Sequence, residues 1–82
     1  MKFMVLYFAA VREIVGKDEE EIDLPSSVAT IGDLTGHLPT VHASLAGRLA
    51  SVRLARNETF ATNDERIEEG DVVALIPPVA GG

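Results

Sequence analysis

"KFMVLYF", residues 2–8, is apolar on both of its alternating sides: Phe3, Val5 and Tyr7 fall on one, Met4, Leu6 and Phe8 on the other. A strand that faces water on one side alternates apolar with polar, so this stretch reads as a central strand with apolar material against each face. "VVALI", 72–76, has the same character, set between a turn at Gly70 and Asp71 and the pair Pro77 and Pro78. The first and last strands are thus expected to be the most buried of the fold.

Outward from the first strand, Gly16 marks a turn within "REIVGKD". "EEEIDL", 19–24, then alternates acid with Ile22 and Leu24, the pattern of a half-buried strand. Residues 3–24 read as a hairpin with a long loop. Pro25 ends that strand. Thr30 and Asp33 resemble a capping box with Asp in place of Glu, and Ile31, Leu34 and Leu38 fall on one helical stripe. Gly32 and Gly36 each weaken such a helix by roughly 1 kcal/mol relative to Ala, and Pro39 is expected to stop it. A short turn is expected around 41–46. "SVRLAR", 51–56, alternates again, and "RNET", 56–59, reads as a polar turn, with Asn57 and Gly70 chosen for backbone tolerance.

The resulting order β-β-α-β-β is an α+β domain, a four-stranded sheet with a helix packed on one face, spanning 1–76 and followed by an extended tail, 77–82. One short helix covers one face only. The other keeps Leu6, Phe8, Ala74 and Ile76 facing outward, with Phe60 nearby. Either the long loops fold over this patch or it marks an interaction site.

The 82 residues allow one domain, which buries only about 60 to 65% of its unfolded surface. Cysteine is absent, which excludes disulfides, thiolate ligands and a thiol nucleophile and fits a reducing, cytoplasmic setting. Thirteen acids against seven bases give a net charge of −6. A nucleic-acid backbone would be repelled, and a partner with a basic surface is the easier match. The apolar stretch 3–11 is too short for a bilayer and poorly flanked for a signal peptide, so no membrane partner is expected. His37 and His42 have no third ligand in view, and no metal site is expected. Arg12 and Glu13 form either a solvated ion pair at the strand end or a bridge to a partner or to the tail.

"PPVAGG", 77–82, combines a stiff exit with two residues that lack side chains. Six residues extend about 20 Å, so the Gly82 carboxylate stands away from the body with no bulk around it and can enter a narrow channel. A carboxylate is a poor electrophile until ATP converts it to an acyl-adenylate. No P-loop, metal cluster or Ser/His/Asp set is in view, so activation is expected from another protein.

"FAAVREIVG", 8–16, and "EEGDVVALIPPVAGG", 68–82, resemble the small, sulfur-carrier subunits of molybdopterin synthase, members of the β-grasp (ubiquitin-like) family with a mixed sheet. The resemblance spans the chain in order. It implies a non-catalytic donor with no bound cofactor, whose Gly82 is adenylated by an E1-like adenylating enzyme using ATP and converted to a thiocarboxylate by a sulfurtransferase. The large synthase subunit then takes in the tail, and the sulfur passes to cyclic pyranopterin monophosphate in molybdenum cofactor biosynthesis, within a heterotetramer. Residue by residue, Gly82 would bear the sulfur, Gly81 would thread the partner's channel, and Val79 and Ala80 would contact it. Phe8, Phe60 and Ile76 would form the apolar partner-binding patch. Asp18 to Glu21 reads as a solvated loop or as a dock for basic residues of the activating enzyme. Leu75 and Ile76 stand where the family usually has an aromatic pair. The same tail chemistry also suits a carrier for thiamine, cysteine or tRNA thiolation, and a modifier joined through Gly82 to lysine amines. A plain interaction domain is the remaining reading.

Overall fold

Each end of the chain supplies a central strand. The computed structural model describes residues 1–25 and 29–78, in which β1 (Lys2–Tyr7) and β5 (Val72–Ile76) lie parallel, Met4 opposite Val72 and Tyr7 opposite Leu75. β2 (Glu19–Asp23) runs antiparallel along the outer edge of β1, and β3 (Arg53–Arg56) antiparallel along β5. β4 (Thr59–Phe60) closes the order β2-β1-β5-β3-β4. The sheet is mixed, as the resemblance implies, and has one strand more than the four expected. The added strand follows from the turn: Asn57 and Glu58 both have positive φ, 50° and 71°. Two left-handed residues make the tight hairpin turn whose twist matches the flanking strands, so "RNET" reverses the chain and pairs Phe60 with Ala55.

The covered face carries Phe3, Val5, Tyr7, Val73 and Leu75, all buried. Against it pack Ile31, Leu34 and Leu38 of α2 (Ile31–Val41), the expected stripe, joined by Leu45 and Leu49. Burying each such side chain contributes about 1.5 to 3 kcal/mol.

Two local readings are corrected. The supposed long loop after β1 contains a helix, α1 (Ala9–Val15). Val11 points into the core, and Gly16, at φ 84°, caps the helix by donating its N–H to the Arg12 carbonyl at 2.8 Å. Gly16 is therefore a helix C-cap, not a hairpin turn. α2 does not stop at Pro39 but continues to Val41. The ring fixes a φ that the helix already uses, Pro39 stands in the last turn, and the one backbone bond it forfeits is to the Thr35 carbonyl, while His42 still donates to Leu38 beyond it. The turn expected near 41–46 is present as a 3-10 turn, Ala43–Leu45.

The start of α2 is closely docked. Asp33 donates its N–H to Thr30 Oγ1 at 3.1 Å, the expected cap, and Ala29 donates to Asp33 Oδ2 at 3.4 Å. Gly32 donates its N–H to the Asn63 carbonyl at 2.8 Å, and a Cβ added there would stand 3.1 Å from that oxygen. Gly36 has open space. The two glycines should therefore respond oppositely to alanine: Gly36→Ala is expected to stabilise by about 0.5 to 1 kcal/mol through helix propensity. Gly32→Ala is expected to destabilise by crowding Asn63. Denaturant midpoints of the two variants check this.

Candidate functional site

The register places Glu19, Leu6, Ala74, Ala55 and Phe60 in a single line across all five strands, on the face opposite the core. The helical residues of the core cluster lie on the other side. Leu6, Ala55 and Ala74 form the floor of a depression of about 230 Å³, and Phe8, Ile76 and Phe60 rise around it. Two consecutive alanines in the row keep the floor low. Phe8 is 44% exposed and Phe60 50%, so no loop among the described residues folds over them. The structure thus brings Phe8, Phe60 and Ile76 together on one open apolar face, with Arg53 stacked 3.7 Å above the Phe60 ring. Phe8 stays on this face because β1 alternates Met4, Leu6 and Phe8 outward before α1 begins.

β5 leaves the sheet at Ile76, at the same end as Phe8 because β1 and β5 are parallel. Pro77 is half-buried and Pro78 exposed. Val79, Ala80, Gly81 and Gly82 lie outside the described residues. Among the described residues no group of three His, Cys, Asp or Glu side chains could hold a metal ion, and no helix is long and apolar enough to cross a membrane.

Several polar residues have roles the sequence did not suggest. The run 18–21 is not a solvated loop throughout: Glu19 to Glu21 belong to β2, and Glu20 points to the covered side. Tyr7 donates its hydroxyl to Glu20 Oε1 at 2.6 Å, Lys17 Nζ to Glu20 Oε2 at 3.1 Å, and His42 Nε2 meets Oε1 as well. A carboxylate only accepts, so this His42 nitrogen carries the hydrogen. The Tyr7 and His42 rings meet edge to face at 5.8 Å. Burial alone would raise the Glu20 pKa, but bonds from His42, Tyr7 and Lys17 outweigh it and bring the carboxyl down to about 2. The Tyr7 hydroxyl shifts upward, by burial first and then by the Glu20 carboxylate.

Asp71 is buried and is the centre of a second knot. It accepts from Arg56 Nε at 2.6 Å, Asn57 Nδ2 at 3.0 Å and the Glu68 N–H at 2.7 Å. Burial opposes its ionisation, yet these donors, Arg56 foremost, hold its pKa below the usual range. Asn57 and Gly70 serve turns as expected, and Asn57 Oδ1 also accepts from the Val72 N–H at 2.9 Å. Arg12 pairs with Asp18 at 3.7 Å rather than with Glu13, and both side chains of that pair are half or more exposed.

A sheet of this topology, with a helix on one face and an apolar depression on the other, defines a β-grasp, ubiquitin-like domain. The chain belongs to the ThiS family, whose model matches residues 5–82. It is 36% identical to the molybdopterin synthase sulfur carrier subunit of Dictyostelium discoideum, over 99% of this chain and 96% of that one. Among solved structures it is similar to a putative molybdopterin converting factor, subunit 1, from Pyrococcus furiosus. The TM-score is 0.85 and the identity 36%, over 96% of this chain and 99% of that one. SAMP1 from Haloferax volcanii matches with a TM-score of 0.87 and 29% identity, over the whole of both chains.

The lowered Glu20 pKa has a fixed sign in stability. Its contribution is complete above the ordinary value of 4.5 and is lost as pH falls through about 2. Glu20→Gln is expected to remove that part of the acid slope and to cost about 1 to 3 kcal/mol at neutral pH. Urea unfolding between pH 2 and 7 for both proteins measures it.

Proposed function

We propose that this chain is the sulfur carrier subunit of molybdopterin synthase and works through a Gly82 thiocarboxylate. The Gly82 carboxylate attacks the α-phosphorus of ATP on an E1-like adenylating enzyme, pyrophosphate leaves, and an acyl-adenylate forms. A persulfide on a sulfurtransferase attacks the acyl carbon and AMP leaves; a thiol then cleaves the S–S bond and leaves the sulfur on Gly82. The large subunit takes the tail, with Gly81 threading its channel beside Val79 and Ala80, and passes the sulfur to cyclic pyranopterin monophosphate. The dithiolene needs two sulfurs, which fits two small and two large subunits. The chain is a donor, and the catalytic groups belong to its partner.

The observation that carries this reading is the end-to-end likeness to a sulfur carrier subunit, with a family match that runs through residue 82. The open face of Phe8, Phe60 and Ile76 beside the exit of β5 supports it by offering a dock next to the tail. The likeness to SAMP1, named elsewhere for the same organism as a small archaeal modifier protein, favours a second reading, conjugation of Gly82 to lysine amines.

Deleting Gly82 is expected to abolish sulfur transfer and leave the thermal midpoint unchanged. Intact mass after incubation with ATP, activating enzyme and sulfur source should show oxygen replaced by sulfur at Gly82 in the full chain only. Higher-mass conjugates in extracts, without that species, would favour the modifier. Phe8→Asp and Ile76→Asp are each expected to weaken large-subunit binding at least about tenfold while the domain stays folded, read by calorimetry and circular dichroism.

A further inference from the structure

The open face has an asymmetry of charge that the docking reading does not use. Glu19 and Glu21 of β2 share this face, opposite Leu6 and Met4 in the register, and both are exposed. Glu58 lines the depression from the β3–β4 turn. None of the three forms an ion pair among the described residues, whereas Glu20 and Asp71 on the covered side are held by internal donors. Two cations share this face: Arg53, stacked on Phe60, and Lys2, which lies opposite Asp23 in the register and beyond Met4 from the depression. The depression is therefore an apolar floor between two unpaired acidic flanks.

We infer that the open face selects a protein surface with an apolar anchor flanked by Lys or Arg on both sides. The anchor sits between Phe8, Ile76 and Phe60; the basic side chains lay their stems along Leu6 or Phe60 and carry their charges to Glu19 and Glu21 on one flank and to Glu58 on the other. A second copy of this chain fits poorly, since each carries a net charge of −6 and would bring like-charged flanks close. The acidic flanks act before contact, by steering the encounter, and leave the apolar anchor to set residence time.

This inference rests on the docking reading above, and one series of variants separates the two. The probe is the purified large subunit of the same molybdopterin synthase, with association followed by stopped flow at low and high salt. Glu19→Lys/Glu21→Lys and Glu58→Lys are each expected to slow association by about tenfold at low ionic strength, with the gap closing at high salt. Dissociation should change little, and circular dichroism should show intact folds. Phe8→Asp is the control for the dock. Loss of binding in Phe8→Asp with unchanged association in the charge reversals overturns the inference and leaves the dock standing. Unchanged binding in Phe8→Asp overturns the dock and the inference with it, as does a stable dimer of the isolated chain, in sedimentation, that Phe8→Asp dissociates.

Discussion

The parallel pairing of β1 with β5 is the constraint on which the rest depends. It joins the two ends of the described chain, so its closure must be held by more than ladder bonds. Gly70 donates its N–H to the Lys2 carbonyl at 2.8 Å, and Met4 to the Asp71 carbonyl at 2.9 Å, which fixes the start of one strand against the other. Asp71 then ties β5 to β3 through Arg56 and Asn57. A buried acid without these donors would cost several kcal/mol, so the knot holds the register while its own ionisation is maintained by it. A slip of β5 by one residue against β1 would turn Ala74 into the core and Val73 and Leu75 out.

That register makes two unlike faces from the same strands. On the covered side, large side chains meet helices, and the polar groups that enter, Tyr7, Glu20 and His42, satisfy one another. On the open side two of the three floor positions are alanines, beside Leu6, and the aromatic bulk stands at the rim, as Phe8 and Phe60, with Ile76. A uniformly large row would have made a flat apolar plate. Small residues at the centre make a receptacle, which suits a shaped protuberance better than another sheet.

The double-faced pattern of residues 2–8 and 72–76 made the central strands, the α2 stripe and the open face legible before any coordinates. Each is a periodicity sustained over several residues. α1 was not legible because seven residues carry barely two turns and Gly16 signals a turn and a helix end equally. β4 was not legible because two residues have no period, and only the positive φ of Asn57 and Glu58 shows the chain reversing. Three adjacent glutamates look identical in sequence. What separates Glu20 from Glu19 and Glu21 is the side of β2 it occupies and the arrival of His42, which is 22 residues away. Arg12, similarly, is an i-to-i+6 partner of Asp18 only because α1 and its capped end fold the chain back.

In the proposed carrier, docking and chemistry are coupled through the exit of β5. Ile76 belongs to the open face, and Pro77 follows it directly, so a partner seated on Phe8 and Ile76 is registered against the base of the tail. Six residues from Pro77 to Gly82 reach at most about 20 Å, and the two prolines remove conformations from the first third of that span. In the proposed carrier, so short a reach from the exit of β5 would raise the effective concentration of Gly82 at one place on a docked partner and lower it everywhere else. Affinity from the apolar face can then serve positioning, because binding groups remote from the reacting atom offset the entropy of bringing that atom into a channel. On the proposed carrier reading Gly81 and Gly82 need no side chains of their own: recognition would lie on the sheet, and Gly82 would have only to fit.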